Sequence, residues 1–284
     1  MNRPVAWVTG AGGLIGHCLA QTAPEHARGW EVMRLTRSRL NLEDFAAVRA
    51  AFGADQPQLV LHCAAISGST DCERDPVRAR QVNVAVTARL AELAADIPFV
   101  FFSTDLVFDG RKGNYVEGEP PNPLGTYAET KVLAEPAVLR NPRHTVVRTS
   151  LNGGTSPTGD RGFNEQMRLA WKAGRVLKLF TDEYRSPIAA PLTARAVWEL
   201  VARNQPGLYH IAGSERLSRW QIGRLLAARW PELNPRLEAS SLRDYTGAPR
   251  APDTTLSCAK VQPLLSFPLP GFTEWLAAHP DEEF

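Results

Sequence analysis

A short apolar run, Val5-Ala6-Trp7-Val8, passes directly into Thr9-Gly10-Ala11-Gly12-Gly13-Leu14-Ile15-Gly16, and a segment of helical period follows. A strand, a glycine turn and a helix in immediate succession leave few folds open. Gly10 suits a tight turn, Gly13 lets an anion approach the backbone at the helix N-terminus, and Gly16 lets helix and strand pack closely. The spacing is GxxGxxG, not the more common GxGxxG, and the alternative is a turn chosen for packing alone.

The same alternation continues through the first half of the chain. Apolar runs at Val32–Leu35, Leu59–His62, Phe99–Ser103 and Thr145–Arg148 read as buried parallel strands. Between them, Leu14–Thr22, Glu43–Phe52, Ala79–Ala95 and Tyr127–Leu139 carry helical periodicity. This order predicts an α/β fold, a Rossmann-type doubly wound parallel sheet. After Arg148 the alternation breaks down, leaving helices near Phe163–Lys172 and Leu192–Arg203, strands at Val176–Phe180 and Leu208–Ile211, and a helix from Ser218 to about Trp230. A proline-rich tail follows. The expected division is a dinucleotide-binding domain at 1–149 plus about 187–213, and a smaller C-terminal substrate-binding lobe at about 150–186 plus 214–284.

Composition removes several classes of function. Among 284 residues, 32 Lys and Arg face 30 Asp and Glu without a basic stripe, which argues against a nucleic-acid partner. No apolar run reaches the length of about 18 residues that spans a bilayer, and nothing reads as a signal peptide, so no membrane partner and a cytoplasmic location are expected. Cys18, Cys63, Cys72 and Cys258 form no CxxC pair and read as free thiols in a reducing compartment. The six histidines show no metal-ligand spacing, and no metal is expected. Asp71, Glu73 and Asp75 read as a solvated acidic loop, with a divalent cation as the alternative.

The second strand ends in Leu35-Thr36-Arg37-Ser38-Arg39, where an NAD-preferring fold would place a carboxylate for the ribose 2′-hydroxyl. Arg37 and Arg39 instead suit a 2′-phosphate, so NADP(H) is favoured with NAD(H) possible; two solvated loop arginines are the other reading. The fourth strand ends in Ser103-Thr104-Asp105, at the edge where open α/β folds bind ligands. Tyr127 and Lys131, one helical turn apart, form an acid and its tuner: a nearby ammonium would bring the phenol toward the working pH, and Thr104 would hold the reacting oxygen. Taken alone, such a pair is usually a half-buried tyrosine and a solvated lysine. With the N-terminal turn it points to hydride exchange at a carbonyl carbon.

These residues resemble a family. Thr9–Gly16, Ala64-Ala65, Asn83, Ser103–Gly110, Pro123–Lys131, Arg148-Thr149-Ser150 and Gly207–Gly213 are similar to the extended short-chain dehydrogenase/reductases, and the STDxVFDG, PxPLxxYxxTK and RTS blocks resemble the dTDP-4-dehydrorhamnose reductases. The resemblance implies Thr104, Tyr127 and Lys131 as catalytic residues, with Lys131 also on the nicotinamide ribose. It implies Gly10, Gly12, Gly13, Leu14, Ile15 and Gly16 at the pyrophosphate, Ala64 and Ala65 on the adenosine side, and Arg37, Asn83, Ser103 and Tyr127 among the cofactor contacts. It places Thr104, Asp105 and Arg185 toward a nucleotide-sugar substrate and implies a homodimer. Leu106 and Leu151 stand where those reductases usually carry tyrosine and tryptophan.

The expectation is an NADPH-dependent reductase of a nucleotide-linked 4-keto-deoxy sugar. Two alternatives stay open: an epimerase or dehydratase that returns its hydride within one turnover, and a non-catalytic regulatory subunit resembling the methionine adenosyltransferase β subunit. For Arg185, either a diphosphate contact or a surface salt bridge fits. Pro120-Pro121-Asn122-Pro123 reads as a rigid loop delivering Tyr127, and Trp220 and Trp230 as core or interface aromatics.

Overall fold

The computed structural model describes residues 3–282 and 284. Its centre is a six-stranded, wholly parallel sheet of β1 (Val5–Thr9), β2 (Glu31–Leu35), β3 (Leu59–His62), β4 (Phe99–Thr104), β5 (Thr145–Thr149) and the strand Gly207–Ile211. From one edge the order is Gly207–Ile211, β5, β4, β3, β1, β2. The order reverses at β1, which has β2 on one side and β3 on the other. The crevice beyond the carboxyl ends of β1 and β3 is therefore the switch point, where ligands of such sheets bind.

Every residue of β3, β4 and β5 is buried, which is why these segments read as unbroken apolar runs. Their alternate side chains enter two cores. Ala6, Val8, Leu59, Leu61, Val100, Phe102 and Val147 join residues of the helices Leu14–His26 and Ala190–Ala202. Trp7, Val60, Phe99, Phe101 and Val146 join residues of Phe45–Asp55, Val86–Leu93 and Thr126–Leu139.

The chain departs from the expected elements in instructive places. Glu43 lies outside its predicted helix because Asp44 is the N-cap, its carboxylate accepting from the Ala47 N–H at 3.0 Å. The helix expected from Ala79 begins at Pro76, capped by Asp75, and passes through a π turn, Gln81–Ala85, before Val86–Leu93. The acidic stretch read as a loop contains a short helix, Ser69–Arg74. Within the tail, Arg236–Ser240 pairs in parallel with Val176–Phe180, and Phe272–Ala278 is helical. Phe163, Met167, Trp171, Ile222, Leu226, Trp230, Phe272 and Trp275 form a third core, with Trp220 packed at its edge.

Candidate active site

The first turn has the geometry its glycines require. Gly10 sits at φ +64°, and a Cβ there would lie 2.6 Å from the Ala64 nitrogen. Only glycine lets the loops after β1 and β3 meet so closely. A Cβ on Gly16 would lie 2.5 Å from the Gly10 carbonyl oxygen, so helix and turn are equally tight there. Gly13 is the N-cap of Leu14–His26 and supplies no capping side chain, leaving the first-turn N–H groups facing outward. These N–H groups and the helix dipole form an anion cradle.

The turn after β2 lies beside it, joined by the Ala11 N–H donating to the Leu35 carbonyl at 3.3 Å. Thr36 and Ser38 share a hydrogen bond of 3.0 Å, and Arg37 is exposed, 3.6 Å from Glu43. Glu43 already receives Arg78 at 2.8 Å. This turn thus offers hydroxyls and a guanidinium, with the Glu43 carboxylate already paired.

At the end of β4, Thr104 caps the tight turn Asp105–Val107, its oxygen accepting from the Leu106 N–H at 3.2 Å while its hydroxyl donates to Asp105 at 3.1 Å. Tyr127 is the second residue of the helix Thr126–Leu139, and Lys131 follows one turn later. The Lys131 ammonium donates to the Phe102 carbonyl at 2.9 Å, 4.5 Å from the centre of the Phe101 ring and 5.9 Å from that of Tyr127. Burial lowers the Lys131 pKa to about 8. Burial also raises the Tyr127 pKa, the Asp105 carboxylate and Cys72 push it further, and the Thr104 hydroxyl opposes them. The expected lysine-driven fall of the tyrosine pKa is not seen: Lys131 is not among the groups that shift Tyr127, and burial with the neighbouring Asp105 raises the phenol instead.

Several other expected contacts are replaced by internal ones. Strand alternation turns Ser103 to the same side as Phe101, where its hydroxyl donates to Glu135 at 2.6 Å, so it does not face the cofactor crevice. Glu135 also receives a two-pronged contact from Arg148 at 3.0 and 2.6 Å, the whole group being buried. Asn83 is fully buried, accepting from the Ile66 N–H and donating to the Ile66 carbonyl and Thr130 hydroxyl at 2.8 to 3.0 Å. It positions the wall of the crevice instead of touching a cofactor.

Asp105, expected beside the sugar, is 4% exposed and receives Ser150 at 2.7 Å and Thr254 at 3.0 Å. Arg185 matches neither expectation. It is buried, donating to the carbonyls of Tyr184 and Ala251, 3.0 Å from Glu183 and 3.7 Å from Asp105. Both residues tie the end of β4 to the C-terminal segment.

Three features were not connected to this site by the sequence. Half-buried Arg219 makes no side-chain hydrogen bond among the described residues; burial lowers its pKa to about 10, with the charges of Glu183, Arg185, Arg250 and Asp105 around it. His62 joins Thr9 at 2.7 Å to Thr87 at 3.0 Å beneath the crevice, and burial lowers its pKa to about 3. Because Thr87 donates its own proton to the Asn83 carbonyl, His62 Nε2–H donates and Nδ1 accepts from Thr9. Glu73, from the supposed loop, reaches the helix that carries Tyr127.

The chain matches the family described as RmlD substrate binding domain over residues 6–283. The probable low-salt glycan biosynthesis reductase Agl14 of Haloferax volcanii is 32% identical over 234 residues, 77% of each chain. Methionine adenosyltransferase 2 subunit beta of Xenopus laevis is 28% identical over 278 residues, 90% of this chain and 81% of that protein. Among solved structures, a dTDP-4-dehydrorhamnose reductase from Bacillus anthracis in complex with NADP superposes with a TM-score of 0.88 over 98% of both chains at 19% identity, a likeness of fold.

Proposed function

The chain belongs to the RmlD substrate-binding domain family, and from that premise we propose that it is an NADPH-dependent reductase of a nucleotide-linked 4-keto-deoxy sugar. The observation that carries this reading is the placement of a protonated Tyr127 beside Thr104 at the carboxyl end of β4, with Lys131 one turn behind. Ketone reduction needs a proton donor, and a phenol carries its proton at neutral pH.

The residues present fit a dinucleotide. Gly10, Gly12, Gly13, Leu14, Ile15 and Gly16 would hold its pyrophosphate, Ala64 and Ala65 its adenosine side, Arg37 a 2′-phosphate and Lys131 the nicotinamide ribose. When bound, the reduced nicotinamide supplies a hydride to the ketone carbon. Tyr127 donates its proton to the carbonyl oxygen as negative charge develops there, giving the alcohol. Thr104 turns its hydroxyl from Asp105 to that oxygen, and the Lys131 ammonium stabilises the phenolate left behind. Arg219, whose side chain makes no hydrogen bond among the described residues, takes the substrate diphosphate in place of Arg185.

We assign residues 1–149 plus about 187–213 to the cofactor and about 150–186 plus 214–284 to the substrate. We further place the protein in the cytoplasm as a homodimer, with Val77 and Leu133 supplying exposed apolar surface for the second copy. The similarity to the methionine adenosyltransferase β subunit supports a second reading, a regulatory subunit that binds the dinucleotide without turning it over. Nicotinamide oxidation dependent on a 4-keto-6-deoxy nucleotide sugar separates the two. The reductase consumes NADPH, and the regulatory subunit does not.

A further inference from the structure

The helix that carries Tyr127 and Lys131 has no cap of its own. Its N-cap is Gly125, which makes no side-chain hydrogen bond, and Tyr127 lies in its first turn. That turn would be the first part of the helix to fray. Glu73 reaches it from Ser69–Arg74, a separate element: its two carboxylate oxygens accept from the Thr126 N–H at 2.7 Å and the Thr126 hydroxyl at 2.8 Å. A carboxylate here also complements the positive end of the helix.

Further along, Arg80 pairs with Glu129 at 2.9 Å and Asn83 donates to Thr130 at 3.0 Å. The chain from 73 to 83 therefore grips the start of the helix at three successive points. Glu73 is the one at the end nearest Tyr127.

We propose that Glu73 is a positioning residue for Tyr127, a cap supplied from another element that fixes the phenol for proton transfer. This rests on the reading of Tyr127 as proton donor. The action is geometric: the groups that shift the Tyr127 pKa are burial, Asp105, Cys72 and Thr104, and Glu73 is not among them.

The structure supplies an internal control. Glu215 grips Thr273 in the same way, accepting from its N–H at 2.8 Å and its hydroxyl at 2.9 Å, on a separate helix, Phe272–Ala278. Glu215→Ala removes the same kind of cap without touching the Tyr127 helix.

The test compares wild type, Glu73→Ala, Glu215→Ala and the double variant Glu73→Ala with Gly125→Asp, measuring kcat and KM for the keto sugar, NADPH affinity, and amide hydrogen exchange across Thr126–Thr130. Gly125 has φ −148° and ψ 162°, a conformation any residue adopts, and Glu73→Ala removes the carboxylate oxygen 3.2 Å from its Cβ position. Aspartate there becomes a local cap.

Glu73→Ala is expected to lower kcat roughly tenfold at unchanged NADPH affinity, since small misplacement of a reacting group is costly. Exchange in the first turn should rise roughly 2- to 30-fold, the loss of a typical cap. Gly125→Asp should restore both, and Glu215→Ala should keep the wild-type kcat. A Glu73→Ala kcat within about twofold of wild type, an equal loss in Glu215→Ala, or no recovery with Gly125→Asp overturns the proposal. If wild type itself reduces no keto sugar, the functional reading fails instead, and exchange that is unchanged in Glu73→Ala still overturns the capping role.

Discussion

The Lys131 ammonium stands 5.9 Å from the centre of the Tyr127 ring, held there by the Phe102 carbonyl at 2.9 Å. The lysine is thus close enough to stabilise a phenolate once it forms, without removing the proton beforehand. The division of labour sets the pH dependence. Lys131 has its pKa lowered to about 8, so the ammonium is present below that pH and lost above it. The Tyr127 pKa is raised, so the phenol keeps its proton throughout this range. We expect kcat/KM to fall as pH rises through about 8, and the limb to move to higher pH in Lys131→Arg, whose charge does not titrate. A limb that stays in place in that variant assigns it to another group.

Tyr127→Phe removes the proton and leaves the ring. Turnover should drop by roughly 10²-fold or more while NADPH affinity changes little, the usual worth of a general acid. Single-turnover kinetics and a cofactor titration check both halves.

Arg37 is an exposed cation in the turn after β2, 3.6 Å from Glu43. Arg37→Ala should weaken NADPH binding by roughly 10- to 100-fold, the worth of a hydrogen bond to a charged group, and leave NADH nearly unaffected. Parallel titrations of the two nucleotides measure the difference.

The buried group of Ser103, Glu135 and Arg148 supports the helix behind Lys131. Glu135→Ala leaves the Arg148 guanidinium uncompensated and should cost about 3 kcal/mol or more of stability. Replacing both partners with apolar residues of similar volume should cost less. Urea unfolding of the three proteins decides this.

His62 stays neutral in the fold because burial lowers its pKa from 6.5 to about 3. Below pH 6.5 the unfolded chain takes up a proton that the folded chain refuses, so stability falls with pH across that window. The slope from this residue approaches about 1.4 kcal/mol per pH unit. Urea midpoints from pH 4 to 7 should show His62→Gln losing that part of the slope.

The sheet and its switch point were legible in the sequence because β3, β4 and β5 are buried on both faces, and because Gly10 and Gly16 each meet backbone that excludes a side chain. The position of Thr104 at a strand end, and of Tyr127 and Lys131 one turn apart on a helix, was legible within single elements. What the sequence hid was pairing across long separations. Glu73 looked like part of a solvated acidic loop because its partner, Thr126, lies 53 positions away. Asp105 looked free because Thr254 lies 149 positions away. Ser103 gave no hint that its hydroxyl is held by Glu135, 32 positions away.

The most direct test of the account is the loss of nicotinamide absorbance when NADPH, with NADH in parallel, is offered freshly generated dTDP- and UDP-4-keto-6-deoxyglucose. The account predicts oxidation that depends on the keto sugar, is faster with NADPH, and collapses in Tyr127→Phe. Tight NADPH binding with no oxidation of either nucleotide by any 4-keto sugar would contradict it.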